Sequence, residues 1–153
     1  MFFVICYLLF CPLIPMLYNI PMTVYLVRHG DAVQEQVDPA RPLSAKGRAE
    51  VETTARALLK EGAKIDEIWH STKLRAKQTA EMIGQILGVQ KVYEKEGLKP
   101  FDPPASIAEI LKNTPKTILI VSHMPFLADL ASLFGKKIDS FESGGVIKLQ
   151  VDA

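Results

Sequence analysis

Val24–Ala32 reads "VYLVRHGDA". Apolar and aromatic residues run to Val27 and give way at once to Arg28, His29, Gly30 and Asp31. Such a run reads as a strand buried on both faces, the habit of parallel sheets. Its end is chemically out of character, because a buried cation is costly unless something pairs with it. In an open α/β sheet, however, ligands bind outside the carboxyl ends of the strands. A strand ending in a cation and an imidazole delivers both to that edge.

The chain around this stretch has 153 residues, 48% of them hydrophobic, and a formal net charge of +1. This suits a single domain of α/β size. The near-neutral balance provides no electrostatic footprint for nucleic acid. Both cysteines, Cys6 and Cys11, fall in the first eleven residues, which excludes a disulfide scaffold or a cysteine–zinc site from the body. The histidines are His29, His70 and His123.

Residues 1–21 differ from the rest in holding no Asp, Glu, Lys or Arg. They lack the basic start and small-residue cleavage site of a secretory signal. A membrane span needs about 20 predominantly apolar residues, and Pro12, Pro15 and Pro21 interrupt this one. Two readings stand: translation from Met22, or an apolar leader acting as a crude membrane anchor. In either case the expected domain is 22–153.

Strands and helices alternate along that body. Leu43–Gly62 reads as a helix capped by Ser44, with Val51, Ala55, Leu58 and Leu59 on one face and Gly62 ending it. "IDEIWHS" (65–71) is a short strand. The next helix runs to Gly88 with Ala76, Thr79, Ala80, Ile83, Ile86 and Leu87 inward. "KVYE" (91–94) is a weak, peripheral strand, and Ser106 with Glu109 forms a capping box for a short helix. "TILIVSH" (117–123) is apolar throughout and therefore central. A helix starts at Pro125 and runs to Gly135, and "VIKLQV" (146–151) closes the chain as a strand. The pattern predicts an α/β fold: a three-layer α/β/α sandwich around a mostly parallel central sheet.

Two strands end alike, "VYLVRHG" and "ILIVSHMP", and the turn after "IWHST" opens the helix that carries Arg75. Parallel strands bring Arg28, His29, Arg75 and His123 to one edge. Two arginines and two histidines without a carboxylate describe an anion pocket, since guanidinium groups match phosphate oxygens in a bidentate fork. A helix N-terminus beside Arg75 adds partial positive charge. Imidazole serves as nucleophile or as acid and base. Together these point to phosphoryl transfer through a phosphohistidine. A metal site is disfavoured because its ligand set would include two cations. His70 reads as structural, Asp31 as a cap of the following turn, and Ser71 and Ser122 as holding backbone near the pocket.

Four blocks, "LVRHGDA" (26–32), "RPLSAKG" (41–47), "STKLRAKQTAE" (71–81) and "VSHMP" (121–125), resemble the histidine phosphatase superfamily, also called phosphoglycerate mutase-like, and within it the small SixA-type branch of protein phosphohistidine phosphatases. The resemblance spans Thr23 to about Asp152. It implies His29 as nucleophile, Arg28, Arg75 and His123 as the phosphate clamp, and Arg41 as a secondary phosphate or substrate contact. It implies no cofactor and no metal. The body has no room for the capping insertions of larger mutases and no acidic residue in a matching motif; Glu94, Glu96 and Asp102 are the nearest candidates. The resemblance therefore favours phosphate on protein histidine, carried for example by a phosphotransfer domain, over a small phosphorylated metabolite. A small-molecule phosphomonoesterase or mutase, and a non-catalytic phosphate-binding module, are the alternatives. A cytoplasmic monomer is expected, membrane-associated only if residues 1–21 anchor it.

Overall fold

A computed structural model describes residues 22–152; the apolar leader, with Cys6 and Cys11, lies outside the described residues. Five strands and four helices alternate: β1 (Met22–Arg28), α1 (Ala45–Lys60), β2 (Glu67–His70), α2 (Leu74–Leu87), β3 (Val92–Glu94), α3 (Ala105–Lys112), β4 (Ile118–Ser122), α4 (Phe126–Leu133) and β5 (Val146–Val151). The sheet order is β3-β2-β4-β1-β5. All pairings are parallel except that of β5, which runs antiparallel along β1. The fully buried β4 is central, as its unbroken apolar composition requires, and the three-residue β3 is an edge.

Alternation along the strands builds two cores. Val24, Leu26, Trp69, Ile118 and Ile120 face α3 and α4, packing on Ile107, Leu111, Phe126, Leu127 and Leu130. Tyr25, Val27, Ile68, Leu119 and Val121 face α1 and α2, packing on Val51, Ala55, Leu58, Ala80 and Ile83. A parallel strand covered on both faces must be apolar on both, so the three layers follow from β1 and β4 themselves. Each fully buried aliphatic side chain contributes about 1.5–3 kcal/mol.

Helix ends account for the boundaries. The Ser44 side chain caps α1 by accepting from the Gly47 amide. Gly62, Gly88 and Gly135 stand just beyond α1, α2 and α4 with positive φ, the conformation that ends helices at glycine. Two expectations fail. Leu59 is half exposed, because it lies one residue round from Leu58 and so off the inward face. The capping box at Ser106 and Glu109 does not form: α3 begins at Ala105 after Pro104 with no side-chain cap, so Ser106 already lies inside the helix.

Two glycines hold α1 against the loop after β1. A Cβ on Gly47 would stand 2.0 Å from the Asp31 carbonyl oxygen, and one on Gly30 would stand 2.7 Å from that of Gly47. Only residues without a side chain let these backbones touch. Asp31 completes the junction, since its carboxylate accepts from Ser44 Oγ at 2.6 Å. It fastens the start of α1 rather than orienting a site arginine.

On β2, Glu67 is buried among donors: Lys116 Nζ at 2.5 Å, Trp69 Nε1 at 3.1 Å, and the Tyr93 hydroxyl. The Lys116 and Tyr93 hydrogen bonds, outweighing burial, hold its carboxyl at about 2, below the usual 4.5. A depressed carboxylate stabilises the fold fully above its unfolded pKa and loses that contribution as pH falls through the folded one. Glu67→Gln is therefore expected to cost about 1.5–3 kcal/mol at neutral pH and to flatten the stability loss between pH 4.5 and 2. Urea midpoints at pH 7 and pH 3 test this; unchanged midpoints would show that the network is inert.

Candidate active site

The carboxyl edges of β1, β2 and β4 assemble the predicted residues. Arg28 pairs with Ser122 in the β1–β4 ladder, and the His29 amide donates to the Ser122 carbonyl at 3.1 Å, so the ladder runs past the strands and sets His29 beside His123. The two rings lie 4.9 Å apart, centroid to centroid. On the other side, Gly30 N donates to Thr79 Oγ1 at 3.2 Å, and Thr79 Oγ1 donates to the Arg75 carbonyl at 2.7 Å. This strap holds the first turn of α2 against the loop. Arg75 Nε then lies 3.2 Å from His29 Nε2.

The His29 tautomer follows from these contacts. An arginine Nε–H only donates, so Nε2 of His29 accepts and carries a lone pair. The proton resides on Nδ1, which donates to the Gly30 carbonyl at 2.7 Å. The imidazole thus presents an unprotonated nitrogen within the cationic cluster. Burial, with Arg75, Arg28 and Arg41 adding and the Gly30 bond opposing, lowers its pKa to about 4.

His123 is buried and its Nε2 lies 2.5 Å from Ser71 Oγ. Burial first, then His29, Arg75, Lys73 and Arg28, lower its pKa to about 3. The free site therefore holds His123 neutral; a bound dianion would shift its pKa back upward. Arg28 spends Nη1 on the Phe141 carbonyl at 2.5 Å. Among the described residues, the buried side-chain nitrogens and oxygens without a protein partner are Arg28 Nε and His123 Nδ1, both in this cluster. Burial also lowers the pKa of Arg75, with Arg41 contributing.

Arg41 arrives on a strained loop. Its φ is +49°, in the left-handed region that a non-glycine residue rarely occupies, and its Nε donates to the Val33 carbonyl at 3.2 Å. Its charge reaches both His29 and Arg75. The loop is tied to α2 where Leu43 N donates to Gln78 Oε1 at 2.8 Å.

Among the described residues none of the candidate acids hydrogen-bonds to this cluster. Glu94 and Glu96 are exposed, and Asp102 accepts from the Lys99 amide at 2.8 Å, closing its own turn. His70 is buried with Nδ1 on the Ser71 carbonyl, a structural role. Ser122 Oγ donates to the Leu98 carbonyl at 2.7 Å, holding backbone as expected. Thr79, Gln78 and Lys73 were not singled out as site residues. Thr79 and Gln78 lie four and three residues after Arg75 in its block, so helical spacing is the signal available for them, whereas Lys73, two before it, carries none.

Lowered histidines have a consequence for pH. Each is neutral in the fold and gains a proton more readily when unfolded, so stability is full above 6.5 and falls as pH drops toward 4 and 3. An NMR titration of the free protein should find His29 with a midpoint near 4. A midpoint at or above 6.5 would contradict the burial and charge assigned to it.

The sheet edge converges arginines on an unprotonated imidazole, and the sequence profile of the histidine phosphatase superfamily (branch 1) matches residues 24–102, just over half the chain. The chain belongs to that superfamily, in its SixA-type group. It is 29% identical over 130 residues to the phosphohistidine phosphatase SixA homolog of Haemophilus influenzae, covering 76% of this chain and 79% of that one. It is 29% identical over 117 residues to phosphohistidine phosphatase SixA of Escherichia coli, covering 72% and 73%. The solved structure of the protein histidine phosphatase SixA complexed with tungstate superposes with a TM-score of 0.74 at 24% identity, covering 86% of this chain and 97% of the other. That last likeness establishes the phosphoglycerate mutase-like fold.

Proposed function

We propose that this chain is a phosphohistidine phosphatase that removes phosphate from histidine on a protein through a covalent intermediate on His29. One observation carries the reading: His29 Nε2, the acceptor of a long 3.2 Å hydrogen bond from Arg75 Nε, is the unprotonated ring nitrogen at the cationic cluster, and its lone pair becomes available for attack when Arg75 turns to the phosphate oxygens. It attacks phosphorus in line, the P–N bond of the substrate breaks, and the departing imidazole leaves neutral once its other nitrogen is protonated. Water then attacks the phosphorus, the P–Nε2 bond breaks, and inorganic phosphate leaves. Arg28, Arg75 and His123 hold the equatorial oxygens, and Arg41 is a secondary contact. Such positioning and electrostatic stabilisation carry most of phosphoryl transfer.

The catalytic unit is the body from Met22 onward, since every residue invoked lies there. The reaction is metal-independent, because the histidines stand among arginines that repel a cation. Among the described residues no helix is long and apolar enough to cross a membrane.

Among the described residues no carboxylate hydrogen-bonds to Arg28, His29, Arg75 or His123, and this supports a substrate whose leaving group needs little acid assistance. Phosphohistidine leaves as imidazole, whose conjugate acid has a pKa near 6.5. An alcohol needs protonation in the transition state, a contribution of about 10² to 10⁴-fold. Comparison of kcat/KM for a phosphohistidine peptide, a phosphoserine peptide and a panel of phosphorylated metabolites is expected to favour the first. A metabolite winning by about tenfold or more would favour the small-molecule reading and return attention to Glu94, Glu96 and Asp102 as acids. No phosphate release from any substrate would favour a binding module.

A further inference from the structure

We propose that the Ser71 hydroxyl is a positioning group that holds His123 as its Nδ1–H tautomer, so that His123 meets the phosphoryl group as a neutral hydrogen-bond donor. The donor role rests on the phosphatase reading above; the tautomer does not.

Ser71 follows β2 directly. Its amide donates to the Val121 carbonyl at 3.2 Å, which prolongs the β2–β4 pairing and brings Ser71 alongside the end of β4. Its hydroxyl is fully buried and lies 2.5 Å from His123 Nε2. The Lys73 amide makes a long contact of 3.4 Å to the same oxygen. A hydroxyl has one proton and two acceptor sites. The Lys73 amide takes an acceptor site, and among the described residues His123 Nε2 is the partner positioned to receive the proton.

Counting buried polar groups decides between the two tautomers. If Nε2 carried the proton, the Ser71 O–H would have no acceptor and His123 Nδ1 would be a bare lone pair without a donor. If Ser71 donates to Nε2, a single group is left over, the Nδ1–H. Buried groups without partners are costly, so the second arrangement is favoured. Its leftover group is a donor, the type an incoming phosphate oxygen satisfies. The charged neighbours agree: Arg75, Lys73 and Arg28 all oppose a positive His123, and among the described residues no carboxylate hydrogen-bonds to it.

The consequence is a division of labour between two histidines with matched tautomers. His29 has its proton on Nδ1, held by the Gly30 carbonyl, and offers a bare Nε2. His123 has its bare nitrogen held by Ser71 and offers Nδ1–H. One ring supplies the electron pair and the other a hydrogen bond to developing charge. Ser71 acts through His123 and touches no substrate.

Nitrogen-15 NMR of the full chain without substrate tests the tautomer directly. His123 is expected to show a protonated Nδ1 and a bare Nε2. Ser71→Ala is expected to move the proton to Nε2, raise the His123 titration midpoint, and lower kcat on a phosphohistidine peptide by about tenfold or more. The loss stays below the roughly 10² to 10³-fold typical of removing an oxyanion donor outright, with KM changing less. Ser71→Thr, which keeps the hydroxyl, should recover most of the rate. A wild-type His123 protonated on Nε2 overturns the proposal, and that measurement needs no variant to fold. So does an unchanged tautomer in Ser71→Ala. Neither spectrum requires turnover, so failure here is separable from failure of the substrate assignment.

Discussion

Replacing His29 by alanine is expected to lower turnover by on the order of 10⁴ to 10⁶-fold, the range found when a covalent nucleophile is removed. The bare Nε2 is the group that forms the P–N bond, and the rings and guanidinium groups around it cannot take over. His123 has one nitrogen committed to Ser71 Oγ at 2.5 Å, and the arginines are protonated throughout the working pH range. Wild-type protein mixed briefly with labelled substrate should retain phosphate as an acid-labile adduct, and His29→Ala should retain none. Equal labelling of the variant would remove His29 as nucleophile. Stability should change little at neutral pH, because the ring is half-buried rather than part of either apolar core.

Replacing Arg75 by alanine is expected to cost about 10² to 10³-fold in kcat, about 3 kcal/mol of transition-state stabilisation. Two functions are lost together. The guanidinium no longer neutralises the transferring group, and its Nε no longer forces His29 Nε2 to remain a bare acceptor. The second loss gives a separate signature: the His29 midpoint should move up from about 4, because Arg75 is one of the charges that lowers it. Arg75→Lys should restore charge but little rate, since an ammonium cannot reproduce the planar fork. A loss below about tenfold, with the His29 titration unmoved, would place Arg75 outside the pocket.

The contrast between these residues and their supports shows how much could be read in advance. Arg28, His29, Arg75 and His123 were legible because each stands where an apolar run or a helix turn makes a charge conspicuous. Leu59 and the Ser106 cap were misjudged because one residue of helical phase, or one residue of helix start, decides exposure and capping, and local pattern does not resolve either. Thr79 strapping Gly30, Gln78 holding Leu43 and Ser71 against His123 join residues 35 to 52 positions apart. Nothing local marks such pairs, since the hydroxyls and the amide are ordinary helix and loop residues until the sheet order brings them together.

The order of elements, the two-sided apolar strands and the residue types at their carboxyl ends are properties of the sequence alone, because hydrophobic period and chain direction act locally and leave parallel strands one common edge for a ligand. Protonation states are not. That His29 exposes Nε2, that both histidines are neutral, and that the arginines oppose rather than balance one another arise from distances of a few ångströms between groups far apart in the chain. Electrostatic energies depend on separation and burial, so the chemistry of the site was decided by the tertiary structure.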